Sequence, residues 1–358
     1  MLKRLLSHDL PRNRWLAIVL VAIVVALALT PFVFPGTKAL NVAAKVIVFI
    51  VLAASFDLLL GYTGIVSFAH TMFFGIGAYG VAIAATRIGP TWPALALGIA
   101  CAVVVSIVLS LVIGLFSLRV RAIFFAMITL AVASAFATLA SQLSDFTGGE
   151  DGLTFKVPEA LQPGTSYLEN PLLGASVDGR LLTYYLLFFA ALVLVLALLR
   201  IVNSPFGRVL QAIRENDFRA EAIGYRTVVY RTLASVVSAL FATLAGVLLA
   251  LWLRYNGPDT TLSFEIMLDV LLIVVIGGMG TIYGAVVGSV LLVLAQNYLQ
   301  DLLKSGGEHL QNVPVLAQVV SPDRWLLWLG ILFVLSVYYF PTGVVGRLRA
   351  LGTRLARA

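Results

Sequence analysis

Long apolar runs separated by short polar breaks dominate this chain. Most runs are about 20 residues long, which is the length an α-helix needs to cross a hydrocarbon core of about 30 Å. The pattern therefore predicts an all-α polytopic membrane protein with about ten transmembrane helices in one domain, residues 1–358. The predicted spans are 15–34, 40–60, 64–86, 92–117, 121–141, 181–201, 228–253, 265–280, 282–299 and 324–340.

The placement of lysine and arginine predicts which loops are cytoplasmic. With ten spans, 16 of the 24 Lys and Arg residues lie on the cytoplasmic side, 7 lie outside and Lys45 lies within a span. This bias follows the positive-inside rule and makes both termini cytoplasmic. Residues 142–180 then form a periplasmic loop. A single span over 265–299 would put the basic C-terminal tail outside, so we split it at residues 277–280.

Composition removes several other classes of protein. Hydrophobic residues make up 61% of the chain and charged residues 11%, which excludes a soluble globular domain. The net charge of +7 is explained by the loops, so nucleic acid is not needed as a partner. One cysteine and three histidines give no metal-ligand spacing, and the sequence lacks a P-loop motif. We predict no catalytic residue, metal or cofactor in this chain.

A polar segment, residues 203–227, separates the sixth and seventh predicted spans. Its sequence predicts a helix that begins at Pro205 and ends before Gly224. Glu215 and Arg219 would form an i,i+4 ion pair on its solvated side. The residues with the spacing to face the bundle are Leu210, Ile213, Ala220 and Ile223. An ordinary solvated helix is the alternative, but the length and amphipathic character of the segment favour docking to a partner.

Ionisable residues inside spans are candidates for function. Asp57 and His70 flank the predicted turn at 61–64, and we predict that they hydrogen-bond to each other and fix a helical hairpin. A proton relay is the alternative for this pair. Lys45 can extend its amine to the outer surface. Asp269, about 6 Å below the outer boundary, either lines an outward-facing vestibule or is solvated at a helix end.

Glycines form the other candidate set for hairpin packing or the translocation path. Gly280, Gly284 and Gly288 recur every four residues, which predicts a smooth stripe along the ninth span for close helix approach. Short spans interrupted by glycine are also typical of broken helices in transporters. The remaining candidates are Gly61, Gly64, Ser67, Gly75, Gly77, Gly277 and Gly278.

Five separated segments resemble the permease subunits of branched-chain amino-acid ABC importers, most closely the LivM-type subunit. They occur in the family's order, and the resemblance covers residues 40 to 340. The segments are GYTGIVSFAHTMFFGIGAYG (61–80), TGGEDGL (147–153), SPFGRVLQAIRENDFRAEAIG (204–224), YRTLASVVSALFATLAGVL (230–248) and SFEIMLDVLLIVVIGGMGTIYGAVVG (263–288).

The resemblance implies a type II-like ABC importer fold in a bacterial inner membrane. Residues 203–227 would be the coupling segment that docks on an ATP-binding subunit. The residues matching that motif are Gly207, Arg208, Ala212, Arg214, Glu215, Asp217, Ala220, Glu221, Ala222 and Gly224. The implied partners are two ATP-binding subunits that use ATP and Mg, a second permease subunit in a heterodimer, and a periplasmic substrate-binding protein.

Alternatives to this function remain at the level of sequence. Related permeases carry urea, amides or aromatic acids, and nothing in the spans separates these cargoes. An ion-driven secondary transporter would place ionisable groups near the midplane, whereas Asp57, His70 and Asp269 are off-centre. A structural or receptor-like protein would not need glycine-lined hairpins. An amino acid would be held by helix ends and backbone dipoles, or would pass with little binding, and we favour the second.

Overall fold

A computed structural model describes residues 14–34, 36–117, 122–167, 177–309, 324–340 and 342–348. The predicted termini at 1–13 and 349–358, and the middle of the predicted periplasmic loop, lie outside these residues. The main helices are α1 (Arg14–Val33), α2 (Thr37–Thr63), α3 (His70–Arg87), α4 (Trp92–Ser117), α5 (Ala122–Gln142), α6 (Gly179–Val202), α7 (Pro205–Glu215), α8 (Asp217–Ala222), α9 (Thr227–Leu253), α10 (Phe264–Gly277), α11 (Ile282–His309) and α12 (Trp325–Tyr339).

The all-α polytopic class is confirmed. Within the described ranges, nine helices are long and apolar enough to cross a membrane. The predicted third span, α3, is not one of these nine because His70, Arg87 and three glycines lower its apolar character. It is instead mostly buried among the other helices. The number of ten spans stays a prediction.

The core is built around α2, α3 and α9. Almost every residue of α2 from Val42 to Thr63 is buried, and α9 packs mainly against α3, α2 and α4. Helices α1, α4 and α12 lie at the periphery and expose apolar side chains such as Val21, Val104 and Leu326. Exposed apolar surface on helices of this length is typical of positions that face lipid or another membrane subunit.

The region between α2 and α3 differs from the predicted tight hairpin. Helix α2 continues through Thr63 and ends at Gly64, which has φ +73°. Residues 65–69 are not helical, and α3 begins only at His70. The backbone amide of Phe68 donates to the hydroxyl of Thr129 at 3.1 Å, which helps to hold this connection against α5.

The apolar run at 265–299 is broken between α10 and α11. Gly278 and Gly280 have φ +120° and +80°, conformations that favour glycine and end α10 sharply. The predicted stripe is therefore wrong for Gly280, which lies in the break and not in the helix. Gly284 and Gly288 do face α10, because a Cβ on either would overlap its backbone, at Gly278 or Ile273 respectively.

A small ribbon joins the predicted periplasmic loop to the end of α9. Strand β1 (Leu153–Thr154) pairs antiparallel with β2 (Tyr255–Asn256), directly after α9. Short helical turns at Ser144–Thr147 and Glu159–Leu161 flank β1 on either side. Arg254 connects α9 to β2. Among the described residues other than glycine, it alone has a positive φ.

Candidate functional site

The predicted coupling segment consists of two helices and not one. Pro205 occupies the first turn of α7, as predicted, but Asn216 has extended backbone angles and ends that helix. The Asn216 side chain accepts a hydrogen bond from the backbone amide of Arg219 at 2.9 Å and so caps α8. The predicted i,i+4 pair fails because Glu215 and Arg219 now belong to different helices.

One face of the segment is anchored on the membrane helices. Leu210, Ile213 and Ala220 are buried as predicted, and Ile213 and Ala220 pack with Val209 and Tyr230. Ile223 was predicted to join them, but it is 67% exposed because the chain turns after α8. The anchored face fixes where the segment sits, and its other face remains accessible.

Polar contacts tie the segment to the first turns of α9. Arg231 pairs with Asp217 at 3.0 Å, and the Thr227 hydroxyl donates to Glu221 Oε1 at 2.6 Å. These two contacts connect α8 directly to the start of α9. This link involves two of the acidic residues that the sequence placed in the coupling motif.

Arg214 connects the segment to two other parts of the chain. Its Nη1 donates a hydrogen bond to the backbone carbonyl of Gly61 near the end of α2. A Cβ built on Gly280 would lie 2.9 Å from this Nη1 and 3.0 Å from the Gly61 oxygen, so all three groups are in contact. We call Asp57, Gly61, Arg214 and Gly280 the junction.

Asp57 completes the junction from inside α2. It is fully buried, and its Oδ1 accepts a hydrogen bond from the backbone amide of Gly280 at 2.8 Å. Its Oδ2 is buried without a hydrogen-bond partner among the described residues. The close approach of Gly61 to Gly280 is possible only without a side chain, because a Cβ on Gly61 would overlap both Asp57 and the Gly280 amide. The two predicted glycine-rich breaks thus meet at one place.

The predicted pair between Asp57 and His70 is wrong. His70 Nε2 is 2.7 Å from the hydroxyl of Ser238 in α9, and that hydroxyl donates to the backbone carbonyl of Ser55. Residues 65–69 are not helical, so His70 is the first residue of α3 and contacts α9 where the prediction had it contact Asp57. Its ring also packs edge-on against Phe56, with the centroids 5.0 Å apart. These contacts hold α2, α3 and α9 together at His70.

The other candidate residues are distributed over three places. Gly207 packs against the Val202 carbonyl at the end of α6. Arg208 lines a cavity of about 300 Å³ beside the junction, together with Thr281. The residues Ala212, Glu215, Ala222 and Gly224 lie along α7 and α8 or just after them. Ser67 belongs to the α2–α3 connection, and Gly75 and Gly77 belong to α3. Asp269 lies in the second turn of α10, eight residues before the glycine that ends it. The two pairs Gly75–Leu262 and Gly77–Thr243 are packing contacts.

The accessible face of the segment carries apolar side chains. Phe218 is 82% exposed and Ile223 67% exposed, beside exposed Arg219 and Glu221. Two large apolar side chains exposed side by side outside the spanning helices are typical of a surface that contacts another molecule. Among the residues that the structure describes, groups of His, Cys, Asp and Glu that could hold a metal ion are absent.

The described chain combines helices long enough to span a membrane, a glycine break between α10 and α11, and a solvent-exposed segment that contacts this break. This combination is typical of a membrane transport subunit. Comparison with known proteins identifies which kind. Residues 38–337 match the family described as "Branched-chain amino acid transport system / permease component", and the chain belongs to that family. The resemblance drawn from the five sequence segments is thereby confirmed.

The chain is also similar to individual curated relatives. It is 26% identical to the high-affinity branched-chain amino acid transport system permease protein LivM of Salmonella typhimurium over 86% of this chain and 74% of that one. The same protein of Escherichia coli gives the same values. A probable branched-chain amino acid transport permease protein LivM of Methanocaldococcus jannaschii is 27% identical over 45% of each chain. No solved structure matches the chain.

Proposed function

We propose that this chain is the permease subunit of an ABC importer that moves branched-chain or related amino acids across a bacterial inner membrane. The observation that carries the proposal is the junction, where one arginine of the exposed segment touches α2 and the broken helix together. Family membership and the names of the relatives support the cargo.

The chain itself performs no chemistry in this proposal. ATP and Mg are bound by two ATP-binding subunits, and the exposed face around Phe218 and Ile223 is the surface on which one of them docks. A second permease subunit completes the pathway. A periplasmic binding protein delivers substrate to the outer face, where the ribbon of β1 and β2 lies.

The junction converts movement of the ATP-binding subunits into movement of the spanning helices. A shift of α7 carries Arg214 with it, and Arg214 is bonded to the end of α2 beside the α10–α11 break. Glycines at the break allow close approach without side chains in the way. ATP binding then favours one of two arrangements of these helices, and ATP hydrolysis lets the helices return to the other arrangement.

The orientation of the chain follows from the same assignment. Docking of a cytoplasmic ATPase requires α7 and α8 to lie inside, which agrees with the distribution of lysine and arginine. Both termini are then cytoplasmic, and the β1–β2 ribbon lies in the periplasm.

The test is substrate uptake by vesicles that contain the purified four-subunit complex and the binding protein. We expect uptake of radiolabelled L-leucine only when ATP is supplied on the side of the membrane that carries the ATP-binding subunits. A matched preparation receives a non-hydrolysable ATP analogue and should take up none above background. Uptake that ignores ATP and follows an imposed proton gradient would refute the proposal.

A further inference from the structure

A cavity of about 410 Å³ lies at the end of the molecule opposite the junction. It is lined by residues 41–49 of α2, the first turns of α10, the end of α9, residues 259–263 between these two helices and Asn297 of α11. Lys45 in its wall precedes Asp57 by 12 residues in one helix, which places the cavity about 18 Å along α2 from the junction. Its volume is in the usual range for a small-molecule site, about 300–1,000 Å³.

Charges of both signs line the cavity. Lys45 lies on one wall, and Asp269 and Glu265 lie on another, one turn apart on α10. Asp259 adds a further carboxylate near its rim. Gln296 Nε2 donates to Asp269 Oδ1 at 2.7 Å, which fixes the orientation of that carboxylate. The Lys45 amine lies 5.3 Å from the ring centroid of Phe49 and is therefore held beside an apolar surface.

The remaining walls are apolar and held in place. Phe49, Leu249 and Ile266 line the cavity together with Trp252. The Trp252 indole donates to Asn41 Oδ1 at 3.2 Å. The same oxygen accepts a bond from Arg180 at 3.1 Å, and the Arg180 guanidinium also lies over the Trp252 ring. A wall fixed by such contacts needs little rearrangement to receive a ligand.

We propose that this cavity is an outer binding site for a zwitterionic amino acid with an aliphatic side chain. Asp269 and Glu265 face the ammonium group, Lys45 faces the carboxylate, and the walls around Phe49 and Leu249 receive the side chain. Urea carries no formal charge and aromatic acids lack an ammonium group, so neither matches both charged walls. This inference rests on the proposed function and differs from the expectation that substrate passes with little binding.

The experiment measures binding of tritiated L-leucine to the full complex in phosphatidylcholine nanodiscs, without ATP and without the binding protein. We expect saturable binding that L-isoleucine displaces and N-acetyl-L-leucine, which lacks the ammonium group, does not. Asp269→Asn should weaken binding at least about tenfold, the effect of losing a charged hydrogen bond. Asp269→Glu should restore part of it. Glu159→Gln, an exposed acid on the outer loop, is the matched control and should bind as the wild type.

Several results would overturn the inference. These are absence of saturable binding, equal competition by N-acetyl-L-leucine, or unchanged affinity in Asp269→Asn. Displacement by glycerophosphoethanolamine as effective as that by isoleucine would assign the cavity to a lipid headgroup. The competition series uses the wild-type complex, so its outcome is decisive even if a variant fails to fold.

The same preparations separate this inference from the proposed function. ATP-driven uptake by a wild-type complex that shows no saturable binding would remove the cavity from the pathway and leave the importer assignment intact. Saturable binding without ATP-driven uptake would remove the importer assignment.

Discussion

The guanidinium of Arg214 donates a hydrogen bond to the backbone carbonyl of Gly61, 153 residues earlier in the chain. The bond joins an exposed helix to the end of the most buried one. Gly61 also lies against the backbone amide of Gly280, and Arg214 itself lies beside Gly280. Arg214 therefore contacts the break between α10 and α11 as well as the end of α2. In the proposed function, this contact is the route by which the segment is coupled to the spanning helices.

Replacing Arg214 with alanine should uncouple ATP hydrolysis from uptake. Loss of a charged hydrogen bond to a carbonyl weakens the link, and we expect leucine uptake per ATP hydrolysed to fall about tenfold. Uptake and phosphate release are measured on the same vesicles. Arg324→Ala, which changes an exposed arginine at the start of α12 and outside the segment, is the control. A ratio in Arg214→Ala that equals the control ratio would contradict the assigned role.

Gly280→Ala should destabilise the protein. Gly280 has φ +80°, and a side chain there is strained by about 1–3 kcal/mol besides pressing on Arg214 and Gly61. Gly330→Ala is the matched control, because a Cβ at that position in α12 meets open space. Thermal unfolding of both purified variants tests the difference. Equal midpoints would show that the break tolerates a side chain.

We expect Asp57 to be required as a hydrogen-bond acceptor for the Gly280 amide, and its negative charge not to be required. Asp57→Asn keeps an acceptor for the Gly280 amide, whereas Asp57→Ala leaves that amide unpaired, a loss of about 1–3 kcal/mol. We therefore expect near-normal stability and uptake in the first variant and reduced stability in the second. If Asp57→Asn folds normally and abolishes transport, a proton-carrying role for Asp57 becomes the better explanation.

Cysteine labelling should place the segment and the outer loop on opposite sides of the membrane. In a Cys101→Ser background, Phe218→Cys and Glu159→Cys each present one exposed thiol. An impermeant maleimide should label Glu159→Cys in cells with a permeabilised outer membrane. It should label Phe218→Cys only in inverted vesicles. The reverse pattern would invert the proposed topology.

The sequence predicted most of the long apolar helices, because a membrane requires uninterrupted apolar runs of about 20 residues. It also located the polar helical segment after α6 and the two glycine-rich breaks. It could not show that the breaks meet, because the bond that joins them runs from a side chain of α2 to a backbone amide 223 residues later. Every residue except proline carries a backbone N–H donor, so the sequence does not show which amide a buried carboxylate binds.

The wrong predictions for His70 and for the helix after Pro205 have local causes in the backbone. A non-helical stretch at 65–69 displaced His70, and no glycine or proline at those positions signals that the helix starts late. The break at Asn216 did have a signal, since asparagine followed by aspartate is a common helix start. Asp269 does line a cavity, which was one of its two predicted alternatives. The sequence could not add Lys45 to the same cavity, because the two residues belong to helices far apart in the chain.

Helix α9 begins beside the Asp217–Arg231 ion pair and ends at the strand that pairs with the outer loop. Its 27 residues span about 40 Å as one uninterrupted helix. The angular positions of its two ends are therefore fixed by residue count. Insertion of a single residue would rotate one end against the other by about 100°. Only sequences that keep the number of residues in α9 constant preserve contact with the coupling segment and the ribbon at once.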